Sequence, residues 1–336
     1  MHILFYDIAA PYLYTTRTLT QQGMGGTEAT IVRIANGLKK YGRVSVAQRL
    51  RPKAQNVIDE DVDYVSLCTA HQFSPDIVVL LQSYRHLTEL RNHFPKSRLF
   101  YWTHNFPSKN LHQTRHLLNN LGYEIIAVSN FHQRKIQMRL MGKWYQQLFS
   151  KLKMNIPIHI LYNPIDDHLH PSQTVWRPNQ LLFMSSTYKG LNQAVQKFYQ
   201  VSRYFPDLEL LITNEQSFKI AKEFTSKIAW LGRLKRDSLM QKVRESFCIF
   251  YPQTIRAETF GLVYAEANAV GTPVLAHNFG AAAEVLSDQN QLINGHRIQE
   301  IIEKLSAWQN KRPNILPQER FRLSRIIEDW RGLLGL

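Results

Sequence analysis

Two glutamates flank a glycine in the stretch Glu258-Thr-Phe-Gly-Leu-Val-Tyr-Ala-Glu266, where the residue types suit a charged, hydroxyl-rich ligand. An apolar run ending at Tyr251 predicts a buried strand, and the run from Leu262 onward has the composition of a buried helix. Gly261 lets the backbone approach a ligand, and the first amides of the helix would favour an anion. The stretch therefore predicts an anion site with a carboxylate on either side.

The position of the second glutamate supports this arrangement, because Glu266 would lie about one turn inside the helix. A carboxylate can accept two hydroxyl hydrogen bonds, so a diphosphate between the two groups would have a sugar on one side and a ribose on the other. The alternative is a capping glutamate and a solvated helix glutamate. The pair alone does not decide between them.

The whole segment resembles the E-x7-E signature of retaining GT-B glycosyltransferases, particularly the family 4 group. The residues that match in register are Glu258, Phe260, Gly261, Leu262, Glu266, Gly271, Pro273 and Val274. The resemblance implies that Glu258 holds hydroxyls of the donor sugar and that Gly261 and Leu262 hold the diphosphate. It also implies that Glu266 holds the ribose and that Phe260 belongs to the same donor site.

Length and composition are compatible with this family. A chain of 336 residues suits two domains of ordinary size. The start of the chain lacks a signal-peptide pattern, and its longest aliphatic run, residues 77–81, is far too short to cross a bilayer. Cys68 and Cys248 have no metal-binding spacing and are expected to be core thiols. A cytoplasmic location is therefore expected.

Each half of the chain alternates apolar, strand-like runs with amphipathic helical runs, which is typical of parallel βαβ units. Strands are predicted near residues 3–6, 43–47, 77–81, 98–102 and 124–128, and again near 181–184, 208–212, 228–231, 247–251 and 273–276. The predicted fold class is α/β, of GT-B type, with two Rossmann-like doubly wound domains facing a central cleft. The predicted domains are residues 1–165 on the acceptor side, residues 166–318 for the nucleotide-sugar, and a helix at 319–336 that packs back on the first domain.

The first half carries two further candidate sites. Gly25 and Gly26 lie in a loop before a helical pattern and resemble the GGxE loop of the family, so they are expected to line the diphosphate or acceptor pocket. His104 follows an apolar strand, at a position where the family has a histidine that contacts the donor sugar. Ser129 matches a family position too, but a helix N-cap is at least as good an explanation. Asn163 is interpreted as a structural residue of the hinge.

The second half contains the loop 185–190, in which the family clamps the diphosphate with an arginine and a lysine. Lys189 matches the lysine, whereas the arginine position falls at Met184, expected inside the strand. A leaving diphosphate gains charge and needs nearby cations or donors. Arg233 or Arg256 could replace the arginine, or Ser185 and Ser186 could donate neutral hydrogen bonds, and the sequence leaves these alternatives open.

Two more loops are expected to complete the donor site. Gly232 and Arg233 resemble the loop that contacts the base, and Gly280 belongs to a turn whose neighbours Asn278 and Phe279 would border the sugar. Glu284 is interpreted as a helix-start charge. No Asp-x-Asp follows a strand, so no metal and no cofactor are expected. The resemblance implies retention at the anomeric carbon, with the departing phosphate accepting the acceptor's proton and with His104, Lys189 and Glu258 as the catalytic set.

Charge is distributed unevenly between the halves. Residues 1–165 contain 20 Lys/Arg and 9 Asp/Glu, whereas residues 166–336 contain 21 and 17. Residues 132–153 combine basic and large apolar side chains, which predicts contact with an anionic membrane surface. The alternative is a solvated basic helix with a buried apolar stripe. Nucleic acid is not expected as a partner, because no binding motif accompanies the charge.

The combined prediction is a cytoplasmic glycosyltransferase, peripheral on the inner face of the cytoplasmic membrane, that transfers a hexosyl or N-acetylhexosaminyl group. Its acceptor would be an anionic glycan or glycolipid of envelope or lipopolysaccharide-core type. A GT-B scaffold protein with weak catalysis, and an epimerase or hydrolase that acts on the nucleotide-sugar, are the alternatives. The base, the sugar, the acceptor and the oligomeric state are not readable from the sequence.

Overall fold

Buried parallel strands alternate with helices along the chain, as the apolar runs predict. The computed structural model describes residues 1–21, 23–142 and 156–336. These residues form two units. The first contains Met1–Leu19, Met24–Pro164 and Leu323–Leu336, and the second contains Thr20–Gly23 and Ile165–Arg322.

The sheet of the first unit has eight strands among the described residues: β1 (His2–Asp7), β2 (Arg43–Gln48), β3 (Val57–Asp59), β4 (Val62–Ser66), β5 (Ile77–Leu81), β6 (Arg98–Trp102), β7 (Tyr123–Ala127) and β8 (Ile158–Ile160). Their order is β3-β4-β2-β1-β5-β6-β7-β8, and only the β3–β4 pair is antiparallel within this described sheet. The five strands predicted for this half are confirmed. The β3–β4 hairpin and β8 were not predicted.

The sheet of the second unit contains β9 (Arg177–Phe183), β10 (Glu209–Ile212), β11 (Ile228–Trp230), β12 (Ser246–Tyr251), β13 (Val274–His277) and β14 (Leu292–Ile293). Its order, β11-β10-β9-β12-β13-β14, is the Rossmann order 3-2-1-4-5-6. All five strands predicted for this half are confirmed. The expectation that Met184 lies inside β9 is wrong, because the strand ends at Phe183.

The helices have the amphipathic patterns that the sequence predicts for crossovers between parallel strands. Their bounds are α1 (Thr16–Gln21), α2 (Gly26–Leu38), α3 (Leu67–Ala70), α4 (Leu87–His93), α5 (Arg115–Asn120), α6 (Asn130–Met141), α7 (Leu191–Val201), α8 (Arg236–Glu245), α9 (Leu262–Ala269), α10 (Ala282–Val285), α11 (Ile298–Asn310) and α12 (Leu323–Leu334). The predicted helix after Gly261 is confirmed as α9.

The last helix completes the core of the first unit. Trp330 on α12 is fully buried, and its ring centroid lies 4.8 Å from that of Trp102 and 5.8 Å from that of Phe5. These aromatic contacts join α12 to β6 and β1. The helix begins at Leu323, inside the segment 319–336 that was predicted to be helical.

The ends of the long segment of the second unit are neighbours. Ile165 and Arg322 form a parallel bridge, and the Ile165 amide donates to the Phe321 carbonyl over 2.8 Å. The buried Arg322 guanidinium donates to the Leu169 carbonyl over 2.6 Å. The residues that follow the predicted hinge residue Asn163 are therefore bonded to the end of the second unit.

Candidate donor site

An ion pair joins the loops that follow β9 and β12. Lys189 Nζ lies 2.7 Å from Glu258 Oε2, and the side chains are 31% and 6% exposed. The strands are neighbours in the sheet although β10 and β11 intervene in the sequence. This is the point where the strand order reverses, which is where open α/β sheets bind ligands.

Tyr251, the last residue of β12, supports the same carboxylate. Its hydroxyl donates to Glu258 Oε1 over 2.8 Å and lies 3.4 Å from Ser185 Oγ. Burial, followed by the charge of Glu258, raises the pKa of Tyr251 well above its usual value, so the hydroxyl stays protonated. The sequence pattern did not reveal this role, since Tyr251 reads only as the apolar end of a strand.

The backbone of Glu258 is fixed by Gly280. The two residues form a parallel bridge, and the Ala281 amide donates to the Glu258 carbonyl over 3.0 Å. Gly280 has a φ of +70°, and a Cβ there would lie 2.6 Å from the Glu258 oxygen. The turn that is predicted to border the sugar therefore contacts the main chain of Glu258, the residue predicted to bind the sugar hydroxyls. Glu284 lies in the first turn of α10, as its interpretation as a helix-start charge requires.

Gly261 caps α9 with a φ of +90°, a conformation that favours glycine. Leu262 is the first residue of the helix, and the Tyr264 amide already donates to the Gly261 carbonyl over 2.9 Å, so Leu262 and Val263 are the residues whose amides precede the first helical bond. They lie where the sequence predicts an anion site, and that function stays a prediction. The Phe260 side chain points elsewhere, because it is buried 5.1 Å from the Phe321 ring.

Glu266 takes part in a second ion-pair cluster, which was not predicted from the sequence. Arg236, at the start of α8, places Nη1 2.7 Å from Glu266 Oε1 and Nη2 3.3 Å from Asp166 Oδ2. Burial opposes the charge on Arg236, but Glu266 and Asp166 outweigh it and raise the pKa above its usual value. No motif signals this cluster, since its members are far apart in the sequence.

The residues proposed to replace the family arginine differ in exposure and in their contacts. Arg233 and Arg256 are both exposed. A Cβ added at Gly232 would have no neighbouring atom within 4 Å among the described residues. The Ser185 carbonyl accepts a hydrogen bond from the Asn214 amide, while Ser186 is exposed. The structure thus brings Lys189 to Glu258 and Ser185 to Tyr251, and it leaves Arg233 and Arg256 exposed.

The glycine loop of the first unit begins α2. Gly25 is the N-cap, and its amide donates to the Tyr12 hydroxyl over 2.7 Å, while Gly26 is the first helical residue. Burial raises the pKa of the nearby Glu28; a backbone hydrogen bond opposes this effect and the charge of Asp7 adds to it. Burial also raises the pKa of Asp7, at the end of β1. The predicted loop therefore lies beside two buried carboxyl groups.

His104 is buried directly after β6, with its ring centroid 4.5 Å from that of Trp102. Burial, followed by the charge of His132, lowers the pKa of His104 to about 3, while the side-chain hydrogen bond with Asn163 acts in the opposite direction. The imidazole is therefore neutral near pH 7.

His132 is a further buried histidine, which the sequence pattern assigned only to the basic segment. Its Nε2 donates to the Asn105 carbonyl over 2.9 Å, and its Nδ1 accepts from the Val128 amide over 3.3 Å. Burial lowers its pKa to about 4. Ser129 accepts from the His132 amide over 2.9 Å and is the N-cap of α6, as the alternative interpretation states.

The described part of the basic segment is α6. Ile136 and Leu140 are buried in the core of the first unit, whereas Arg134, Met138 and Arg139 are exposed. This part matches the alternative of a basic helix with a buried apolar stripe. The rest of the predicted segment, residues 143–153, lies outside the described residues.

Membrane spans and metal clusters are both absent from the part of the chain that the structure describes. Across residues 1–21, 23–142 and 156–336, no helix has the length and apolar character that a membrane span requires. The same residues contain no group of three or more His, Cys, Asp or Glu side chains arranged to hold a metal ion. That the reaction needs no metal stays a prediction to be tested.

Comparison with known proteins supports the resemblance that the motifs indicate. Residues 176–323, nearly all of the second unit, match the family model described as Glycosyl transferases group 1. The resemblance inferred from the motifs is confirmed.

A mannosyltransferase is similar over part of the chain. The GDP-mannose-dependent monoacylated alpha-(1-6)-phosphatidylinositol monomannoside mannosyltransferase of Corynebacterium glutamicum is 27% identical over 115 residues, which are 31% of this chain and 30% of that protein. The match thus spans less than a third of the relative's length.

Two solved structures have the same fold over nearly their whole length. Sucrose-phosphate synthase from Thermosynechococcus elongatus is 12% identical with a TM-score of 0.72, covering 99% of this chain and 98% of that one. A glycosyltransferase from Rickettsia africae is 15% identical with a TM-score of 0.66, again covering 99% and 98%. The predicted α/β fold of GT-B type, built from two Rossmann-like units, is confirmed.

Proposed function

We propose that the protein is a glycosyltransferase that uses a nucleotide diphosphate-sugar and transfers the sugar with retention at the anomeric carbon. The observation that carries the proposal is the Lys189–Glu258 ion pair, with Tyr251 behind it, at the strand-order reversal of a group 1 domain. Such a pair offers a cation for a phosphate and a carboxylate for sugar hydroxyls.

The proposed chemistry assigns one task to each group. Lys189 and the first amides of α9 stabilise the charge that the diphosphate gains as the glycosidic bond breaks. Glu258 orients the sugar, Glu266 binds the ribose, and the neutral His104 donates or accepts a hydrogen bond at the sugar. The acceptor hydroxyl attacks from the face that the phosphate leaves, and the phosphate oxygen takes its proton. No metal or cofactor has a part in this scheme.

The proposed substrates follow from the relative and from the charge. The corynebacterial protein is named for GDP-mannose and for a phosphatidylinositol mannoside, so GDP-mannose and an anionic glycolipid are the first pair to test. The excess of basic residues in the first half suits an anionic acceptor, of envelope-glycan or lipopolysaccharide-core type. We further propose a cytoplasmic protein that contacts the inner face of the membrane peripherally.

The test begins with a thermal-shift panel of UDP, GDP, ADP and CMP and their sugars. The nucleotide-sugar that stabilises the protein most is then supplied with a radiolabel and a glycolipid extract, with and without EDTA. Transfer by wild type but not by Glu258→Gln, unaffected by EDTA, is the expected result. Binding without any turnover would support the scaffold alternative, and donor consumption without acceptor would support the hydrolase or epimerase.

A further inference from the structure

A single arginine holds two carboxylates of the second unit together. Arg236 contacts Glu266 through Nη1 and Asp166 through Nη2, and all three side chains are less than a fifth exposed. Because the guanidinium is planar, it can bridge two carboxylates in a fixed geometry that a lysine cannot reproduce. Glu266 is therefore held at a defined position relative to the segment that opens the unit.

The ion pair approaches one oxygen of the Glu266 carboxylate. Arg236 Nη1 lies 2.7 Å from Oε1, and a carboxylate with two oxygens can accept further hydrogen bonds at Oε2. Glu266 lies about one turn from the N-terminus of α9, where Leu262 offers its amide. A group bound at Oε2 would thus lie within reach of an anion at the helix start.

We infer that Arg236 is a positioning residue that orients Glu266 for the hydroxyls of the nucleotide ribose. The inference rests on the proposed function, which assigns the ribose to Glu266, and it adds the group that sets the carboxylate. Without Arg236, the buried Glu266 and the partly buried Asp166 would lose their shared cation, and like charges would drive them apart. The ribose would lose its oriented acceptor, while the diphosphate site would remain.

The experiment measures how strongly the protein distinguishes a complete ribose from an incomplete one. Affinities for GDP and UDP, and for the 2′-deoxy and 3′-deoxy forms of each, are measured by calorimetry for wild type and for Arg236→Met. We expect wild type to prefer a ribonucleotide to a deoxy form by about ten- to hundred-fold, as for a lost hydrogen bond to a charged group. In Arg236→Met the preference should fall to about three-fold or less, with the affinity for the deoxy forms unchanged.

Two further variants keep the result interpretable. Arg236→Lys retains a charge but cannot bridge both carboxylates, so it should fold if Arg236→Met does not and should also lose the preference. Lys242→Met is the matched control, because it removes the 2.8 Å ion pair to Glu245 on the same helix and should leave the preference intact.

The outcomes separate this inference from the function on which it rests. An undiminished preference for the ribonucleotide in both Arg236 variants would overturn the positioning role while leaving the proposed function in place. Failure of wild type to bind any nucleotide would overturn the proposed function, and the positioning role with it.

Discussion

Gly280 lies in contact with the main chain of Glu258, and a side chain at Gly280 would overlap both the Glu258 oxygen, at 2.6 Å, and its nitrogen, at 2.8 Å. The loop after β13 therefore supports the carboxylate that follows β12. We expect Gly280→Ala to displace Glu258 and to destabilise the protein by more than about 1 kcal/mol, because the left-handed conformation and the overlap both oppose a Cβ.

Urea unfolding and nucleotide-sugar affinity measure this effect. Gly122→Ala is the control, since Gly122 has a φ of +65° but its nearest neighbour would be an arginine nitrogen at 3.6 Å. An equal loss of stability in both variants, with donor affinity kept, would show that only the backbone conformation matters at Gly280.

Lys189→Met should reduce kcat by roughly a hundred-fold, because the leaving diphosphate loses its cation. Steady-state kinetics with the donor found in the thermal-shift panel would measure the change. Combined with Glu258→Gln, the double variant should lose less than the sum of the single losses, as expected for residues in contact. Exposed Lys222→Met is the control. A change in KM alone would contradict a role in the transition state.

Tyr251→Phe should weaken the binding of nucleotide-sugar more than that of free nucleotide. The variant leaves Glu258 Oε1 without the 2.8 Å hydrogen bond, at a cost of roughly 1–3 kcal/mol. Calorimetry with the nucleotide and its sugar separates the two effects, and Tyr204→Phe on the surface is the control. If the binding of both ligands weakens equally, Tyr251 contributes to the fold and not to sugar recognition.

Acid should destabilise the protein partly through His104. Its pKa is about 3 in the folded protein, against the ordinary histidine value of 6.5 in an unfolded chain, so the unfolded state binds the extra proton as the pH falls below 6.5. Stability from this group is present above pH 6.5 and is lost toward pH 3, by up to about 1.4 kcal/mol per pH unit.

Urea unfolding of wild type and His104→Gln at a series of pH values tests this expectation. The series runs from about one unit above the ordinary histidine pKa of 6.5 to about one and a half units below it. The variant should have the shallower dependence on pH, whereas His116→Gln, at an exposed position, should match wild type. Identical slopes for wild type and His104→Gln would mean that His104 is not buried in its neutral form.

Binding to anionic vesicles should be salt-sensitive if α6 contacts the membrane. Neutralising Arg134, Lys135 and Arg139 should weaken the binding free energy by about 1 kcal/mol for each charge, and vesicle flotation measures this loss. Neutralising Lys219, Lys222 and Arg297, which are exposed in the second unit, makes the same change in net charge. Equal flotation of the two triple variants would exclude a specific role for α6.

Much of the fold could be predicted because buried parallel strands are continuous apolar runs, such as residues 77–81 and 247–251. The β3–β4 hairpin escaped prediction, because its turn places Glu60 and Asp61 at φ values of +48° and +60°. Neither residue is a glycine or an asparagine, so the usual signal for such a turn is absent.

The part of the candidate site that lies in one continuous motif could be predicted. Contacts between side chains from distant parts of the sequence could not. Glu258 and Glu266 are eight positions apart on one strand–loop–helix unit, so their spacing in the sequence carries their relationship. The partners of these residues, Tyr251 and Arg236, are set by side-chain direction and by the pairing of distant strands. The family pattern has an arginine at the position of Met184, and it does not indicate which residue supplies a cation in place of that arginine.

Trp330 has a consequence for the order in which the chain folds during synthesis. It fills the space beside Phe5 and Trp102, yet it leaves the ribosome only after the whole segment 165–322. The first unit therefore begins the chain but is completed by its last helix. A nascent chain that has not reached α12 exposes the apolar surface that Trp330 covers, and it must remain soluble in that state until α12 has been synthesised.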